Sequence, residues 1–302
     1  SLTKLRLPGG LVNNSSQNLV GAGELFTTGT VLYVDSTNGS DGNIGDDPSF
    51  PLATIDQAVT NALANNGDII VLMPNHAQNI ANATTFQIDK AGLTVLGLGN
   101  GRNRPTFTFT NTAGSVEIDS ADTRLSNISF LASVSAVLVG INVDADDVVL
   151  ENLEFNWDEA GDDFVRFVDV DAVNRVRIVN CRFNAQEAVG SECALRMSDT
   201  DELVVEGNEF SGSFASAAIY ASGSTGSGAA IIYNAIYNSH ATGGCVDINV
   251  AFTGVLGYNL LGAAVAAAAS VLDPGSLRCI ENYASTAVDV SAVILPVATS
   301  GN

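Results

Sequence analysis

Apolar and polar positions alternate with a period of two along most of this chain, as in strands that bury one face. In VRIVNCRFNA (residues 176–185), Val176 and Ile178 alternate, Asn180 interrupts, and the rhythm resumes at Cys181 and Phe183. Asparagine is a poor strand residue. Its placement becomes regular once the pattern is followed along the chain. Leu125-Ser-Asn127-Ile-Ser-Phe130, Leu150-Glu-Asn152-Leu-Glu-Phe155, Ile178-Val-Asn180-Cys-Arg-Phe183, Val205-Glu-Gly207-Asn208-Glu-Phe210 and Ile232-Tyr-Asn234-Ala-Ile-Tyr237 are copies of one unit. Weaker copies carry Gly97, Tyr258 and Glu281 in the asparagine slot, and successive slots are 30, 25, 28, 27, 27, 24 and 23 residues apart.

A repeat of about 25 residues built from short β-runs, with no helix per unit, predicts a β-solenoid. Crossovers between parallel strands are right-handed in nearly all cases. The expected fold class is therefore all-β, a right-handed parallel β-helix of about seven to eight coils. A sharp corner between two strands needs a residue of positive φ, which glycine and asparagine adopt most readily. That reasoning makes Gly97, Asn127, Asn152, Asn180, Gly207 and Asn234 the corner residues. The residue three places on, namely Phe130, Phe155, Phe183, Phe210 and Tyr237, should point inward and stack as an aromatic file.

A solenoid exposes its terminal coils and needs caps. Residues 54–66, TIDQAVTNALANN, read as a helix opened by a Thr54/Gln57 capping box. Ile55, Ala58, Val59, Ala62 and Leu63 form its apolar face, and Asn65-Asn66-Gly67 ends it. The expected organisation is an N-terminal arm (1–30), a cap (31–90), the coils (91–285) and a C-terminal tail (286–302). Residues 263–270, AAVAAAAS, are small enough for a tightly packed final coil or a subunit contact.

Twelve Lys and Arg against 33 Asp and Glu give the 302-residue chain a net charge of −21. Such a surface repels phosphate backbones and anionic headgroups, so no nucleic-acid or membrane partner is expected. With 46% hydrophobic residues the chain can bury a large core, and no apolar run is long enough to cross a membrane as a helix. The opening SLTKLRLPGG has no apolar stretch, so no secretory signal is expected.

The chemistry-bearing residues are scattered. Cys181, Cys193, Cys245 and Cys279 form no CxxC pair, and His76 and His240 stand alone, so no zinc site is expected. Cys181 and Cys245 fall in apolar alternation and read as small buried hydrophobes, with disulfides as the alternative. The acidic loop of residues 34–51 lacks the EF-hand spacing. The acidic groups Asp144/Asp146/Asp147, Asp158/Glu159/Asp162/Asp163, Asp169/Asp171 and Asp199/Asp201/Glu202 fall mostly at turns, where aspartate is common. Glu154, Arg182 and Glu209 share an outward slot in three coils. The two glutamates should lie about 10 Å apart with the arginine between them, as a surface ion-pair ladder rather than a catalytic pair. Trp157, in the acidic loop after Phe155, reads as a cover over the core's edge, with a contact anchor as the alternative. Neither a catalytic residue, a cofactor nor a metal is expected.

Tyr33-Val-Asp35-Ser, Asn38-Gly-Ser-Asp41-Gly, Pro51-Leu-Ala-Thr54-Ile and Gly67-Asp68-Ile-Ile-Val71 together resemble the N-terminal cap of pectate-lyase-like right-handed β-helix proteins. Met73-Pro-Asn-His76-Ala-Gln, Gly92-Leu-Thr-Val-Leu-Gly97-Leu-Gly, Arg104-Pro-Thr-Phe-Thr-Phe109 and Asp273-Pro-Gly-Ser-Leu-Arg-Cys279-Ile-Glu-Asn-Tyr283 look like β-helix proteins of tailed bacteriophages. This resemblance implies a noncatalytic virion protein, a tailspike-like homotrimer decorating the head and bound to the major capsid protein, assembled in the host cytoplasm. The alternative it implies is a tailspike that binds or degrades host surface polysaccharide.

Overall fold

In the coil that holds Asn127, three short strands, Arg124–Ser126, Ser129–Ala132 and Val137–Val143, meet at bends. The chain then enters Val149–Glu151, which pairs in parallel with Arg124–Ser126 one coil below. Repetition of this step builds a right-handed parallel β-helix of about 8 coils. Its three walls are sheets of ten, ten and eight strands, beginning at Val31–Val34, Ala77–Ile80 and Phe86–Ile88 respectively. The computed structural model describes residues 5–6, 12–13, 27–187, 191–221, 225–248, 251–265, 271–286 and 293–295. Most of the expected arm and tail, and residues 266–270 of the small-sided run, lie outside the described residues. None of the described helices is long and apolar enough to cross a membrane.

The second wall carries the aromatic file. Phe107, Phe130, Phe155, Phe183 and Phe210 occupy one inward row in successive coils. Their rings stack at centroid distances of 5.1 Å for Phe155 with Phe183 and 4.7 Å for Phe183 with Phe210. Each such contact contributes about 1 kcal/mol beyond burial itself. Tyr237 does not continue the file. Ile236 pairs with Phe210 and is buried, while Tyr237 pairs with Ser211 and points outward, 54% exposed.

The cause of that slip lies at the corner. Asn127, Asn152, Asn180 and Gly207 have φ of 59°, 51°, 55° and 68°, but in the next coil the left-handed residue is Tyr233 (φ 57°), followed by Tyr258 (58°) and Glu281 (43°). Asn234 therefore stands one place past the corner, in register with Asn208, and is buried. Two asparagine files run side by side: an exposed one that turns the chain, and an inner one of Asn208, Asn234, Asn259 and Asn282 that ties coils together. Gly97 is also not a left-handed corner. It ends the strand Thr94–Gly97, and Gly99 takes the positive φ, 95°. A Cβ on Gly97 would sit 2.1 Å from the carbonyl oxygen of Asn127, so close approach rather than φ requires glycine there.

The N-terminal coil is covered by a helix, Ile55–Asn61, shorter than the 54–66 expected. Thr54 Oγ1 accepts from the Gln57 N–H, but the Gln57 side chain reaches forward to Asn61, so the capping box is half made. Ala62 is already extended and buried, and Leu63 donates its N–H to the Asp68 carboxylate. That anchor turns the Leu63 side chain into solvent instead of onto the apolar face. In the acidic loop, Asp41 accepts from the N–H groups of Ala53 and Thr54 and from the Thr54 hydroxyl. Its carboxylate organises the start of the helix.

Candidate functional site

The outer surface of the second wall changes character along the solenoid. One outward row reads Glu154, Arg182, Glu209, Ala235, Leu260 and Tyr283 in consecutive coils. Beside it run Asn156, Asn184, Ser211, Tyr237, Gly262 and Ser285. Its N-terminal half is polar and the C-terminal half aromatic.

In the polar half every charge has a partner. Arg182 Nε lies 2.9 Å from Glu209 and its Nη1 4.0 Å from Glu154. Arg104 reaches Glu154 at 3.1 Å from below. A recess of about 270 Å³ opens among Arg104, Asn152, Glu154, Arg182 and Glu209. The arginine fills the space in which an inverting glycosidase would hold water between its two carboxylates. Asn184 donates to Asn156 at 2.8 Å.

Glu209 also borders the next depression, a shallow groove of about 390 Å³ lined by Phe210, Ser211, Tyr237, Leu260, Tyr283 and Ser285 among others. Tyr237, Leu260 and Tyr283 are 54%, 61% and 41% exposed. On the adjoining corner Tyr233 and Tyr258 stack at 5.2 Å and 10°. An aromatic ring offers its face to the apolar C–H side of a sugar, and nearby hydroxyls and amides serve the sugar's own hydroxyls. The sequence reading missed this strip because it set Tyr237 inside. Aligning Asn208 with Asn234, instead of Gly207 with Asn234, would have turned Tyr237 outward.

A second cluster lies on the third wall. Asp119, Asp144 and Asp171 follow equivalent strand positions in three successive coils, and Glu117 sits beside them. Carboxylate oxygens of Glu117, Asp119 and Asp144 all lie within 4.8 Å of one another. Asn142 bridges two of these groups, donating to Glu117 at 2.9 Å and to Asp144 at 2.7 Å. Partial burial, then the charges of Glu117 and Asp119, push the Asp144 carboxyl upward. Calcium takes six to eight oxygens, so beyond one from each of these three carboxylates a site here would need bidentate binding, the Asn142 amide or water. The sequence reading had Asp144 and Asp171 but not Glu117 or Asp119, although Val116-Glu117-Ile118-Asp119 shows the alternation that puts both acids outside.

Several of the other acids expected at turns are engaged structurally. Asp146 and Asp147 hold Arg175, and Asp169 holds Arg166 and Arg196. Asp163 is buried and accepts from the Ser191 hydroxyl and the Phe164 and Gln186 N–H groups, with burial raising its carboxyl to about 6. Asp201 caps Ser227. Trp157 is 40% exposed, next to Ala132 in the wall. Cys181, Cys193 and Cys245 are free and buried, and Cys279 is free and half-buried. Burial pushes the Cys181 thiol up to about 12, which makes it inert rather than nucleophilic. His76 finds partners that its sequence neighbours did not reveal: its Nδ1 accepts from the Ser36 N–H at 3.0 Å, and its ring lies 5.4 Å from that of Phe107. His240 Nδ1 accepts from the N–H groups of Thr242 and Gly243 in a turn.

No protein-family model matches the sequence, and no curated protein matches it. Solved structures do match. One described as rhamnogalacturonan lyase superposes with a TM-score of 0.62 at 15% identity, covering 85% of this chain and 74% of that one. The pectate lyase Pel9A superposes at 0.54 and 12% identity, covering 92% and 83%. The fold is pectate-lyase-like. At this identity the likeness shows the fold alone, and function must be argued from the site.

Proposed function

We propose that this protein is a polysaccharide-binding β-helix whose ligand lies along the outer face of the second wall, and that it binds without cleaving. The observation that carries the reading is the strip running from the Glu154–Arg182–Glu209 ladder to Tyr237, Leu260 and Tyr283. Two solved proteins of the same fold are named for action on polysaccharides, which supports the ligand class. The paired state of both glutamates supports binding rather than hydrolysis by a carboxylate pair. The test is co-sedimentation with a panel of bacterial and plant polysaccharides, with reducing ends and unsaturated products measured alongside. Binding with no new ends is the expected result. Turnover by the wild-type protein overturns the noncatalytic assignment, and its survival in Glu154→Gln and Glu209→Gln would place the chemistry elsewhere.

The setting we propose is the outside of a tailed-phage particle, as a homotrimer seated on the major capsid protein. Its support is the sequence resemblance over residues 73–78, 92–99, 104–109 and 273–283. Quantitative mass spectrometry of purified virions tests it. Many copies per head are expected, a few copies at the tail favour a spike, and absence from the particle overturns the setting.

A further inference from the structure

We infer that the ligand of the second wall is an uncharged polysaccharide, laid along the solenoid axis across about 24 Å, or five coil-to-coil steps of roughly 4.8 Å each. The inference rests on the polysaccharide-binding reading and narrows it to one chemical class.

Charge decides the class. A uronate chain brings a carboxylate with each acidic sugar, and in a direct complex a cationic side chain is the strongest partner for each. Among the described residues lining the two depressions, Arg104 and Arg182 are the only cations. Both are already bonded to glutamates of the same strip. Releasing either arginine to a uronate would leave Glu154 or Glu209 facing the ligand's own charge. The strip is thus electrically balanced without a ligand, while the chain as a whole carries −21 and repels polyanions at a distance. What the strip does offer suits a neutral sugar: the Tyr237 and Tyr283 rings with Leu260 between their coils, flanked by Ser211 and Ser285, with Asn184 one coil before Ser211.

The geometry also sets the ligand's direction. Leu260 and Tyr283 continue the ladder's own row and Tyr237 stands in the row beside it, so a chain that touches both ladder and aromatics must run from coil to coil rather than around one. An alternative occupant of an exposed aromatic strip is a second copy of this protein, which the same experiment detects.

Calorimetry with the full chain, using neutral glucan, mannan and galactan oligosaccharides beside polygalacturonate and alginate, tests the inference. We expect a neutral chain to bind with an affinity unchanged between ~0.05 M and ~0.5 M salt, because no charge pair forms. Tyr237→Ala and Tyr283→Ala should each weaken binding by roughly tenfold, as expected for removal of one stacking platform. Both side chains are exposed, so an unchanged melting temperature will show that the variants fold. Tighter binding of a uronate chain, with or without added calcium, overturns the neutral class and leaves the polysaccharide reading intact. Failure of every member to bind at millimolar sugar overturns both. Self-association that is lost in Tyr237→Ala overturns the sugar assignment in favour of a contact between copies.

Discussion

Asn234 and Asn259 lie one coil apart in the interior, and Oδ1 of Asn259 accepts twice from Asn234, from its backbone N–H at 2.9 Å and from its Nδ2 at 3.0 Å. The same Nδ2 donates to the Val205 carbonyl in the coil below. Asn208 and Asn282 extend the arrangement, and Oδ1 of Asn208 accepts from the Cys181 N–H at 2.8 Å. The ladder satisfies backbone groups that the bend takes out of sheet pairing, in a place water does not reach. Asn234→Leu should therefore cost about 3 kcal/mol or more, because it leaves the backbone N–H and one side-chain N–H of Asn208 buried without the Asn234 oxygen that accepts from both. Urea unfolding followed by circular dichroism measures it. A loss no larger than that of an exposed control such as Thr112→Ala would mean that the ladder is not needed for the corner.

Asn180 tests the outer file separately. Its φ of 55° lies in the left-handed region, where a β-branched side chain is a steric outlier. Asn180→Val should destabilise by about 1–2 kcal/mol, while Asn180→Gly should stay within about 0.5 kcal/mol of wild type. Equal midpoints for all three proteins in a urea titration would remove positive φ as the reason for asparagine at this position.

These two files explain which parts of the structure could be read in the sequence. Burial alternates with a period of two, so Phe130, Phe155, Phe183 and Phe210 were legible as one inward row. Spacing alone cannot separate two adjacent asparagine positions when each is occupied in only some coils. In the coils of Asn127, Asn152 and Asn180 the inner position holds Ile128, Leu153 and Cys181, whereas from Asn208 onward it holds asparagine and the corner passes to Gly207, Tyr233, Tyr258 and Glu281. A register drawn through the asparagines alone slips by one at Asn234, and one residue of slip reverses the face of everything after it in that strand. That reversal hid Tyr237, and with it the aromatic half of the candidate site. The Glu154–Arg182–Glu209 ladder was legible because it lies before the slip. The contact of His76 with Ser36 was not, since 40 residues separate them and only the closing of the first coils brings them together.

The acidic file of the third wall should be mildly unstable at neutral pH. Burial and the neighbouring Glu117 and Asp119 raise the Asp144 carboxyl, so the folded chain takes up this proton more readily than the unfolded one. The resulting penalty is present above the folded-state value and disappears as pH falls through it. Asp144→Asn should stabilise the protein at pH 7 by no more than about 1 kcal/mol, because solvent screens a group this exposed. The gain should shrink in acid and in high salt. Melting temperatures of both proteins at pH 7 and in the carboxylate range check this, and a constant difference across pH would show that charge is not its cause.

His76 gives the opposite slope. Burial lowers its imidazole to about 4, against the influence of Asp35 which favours the charged form, and Nδ1 can accept from the Ser36 N–H only while unprotonated. Between about 4 and the usual 6.5 the unfolded chain binds a proton that the folded chain refuses, so stability falls as pH drops through this window and levels off below it. The full effect of this one group is about 3 kcal/mol. His76→Gln, which keeps an acceptor and does not titrate, should lose that much less stability than wild type between neutral pH and the lower limit. Other carboxylates titrate over the same range, so the informative quantity is the difference between the two proteins in urea midpoints, not either curve alone. Parallel curves would mean that the imidazole stays solvated in the folded chain, and that the seam between Ser36 and the first coils does not depend on a neutral histidine.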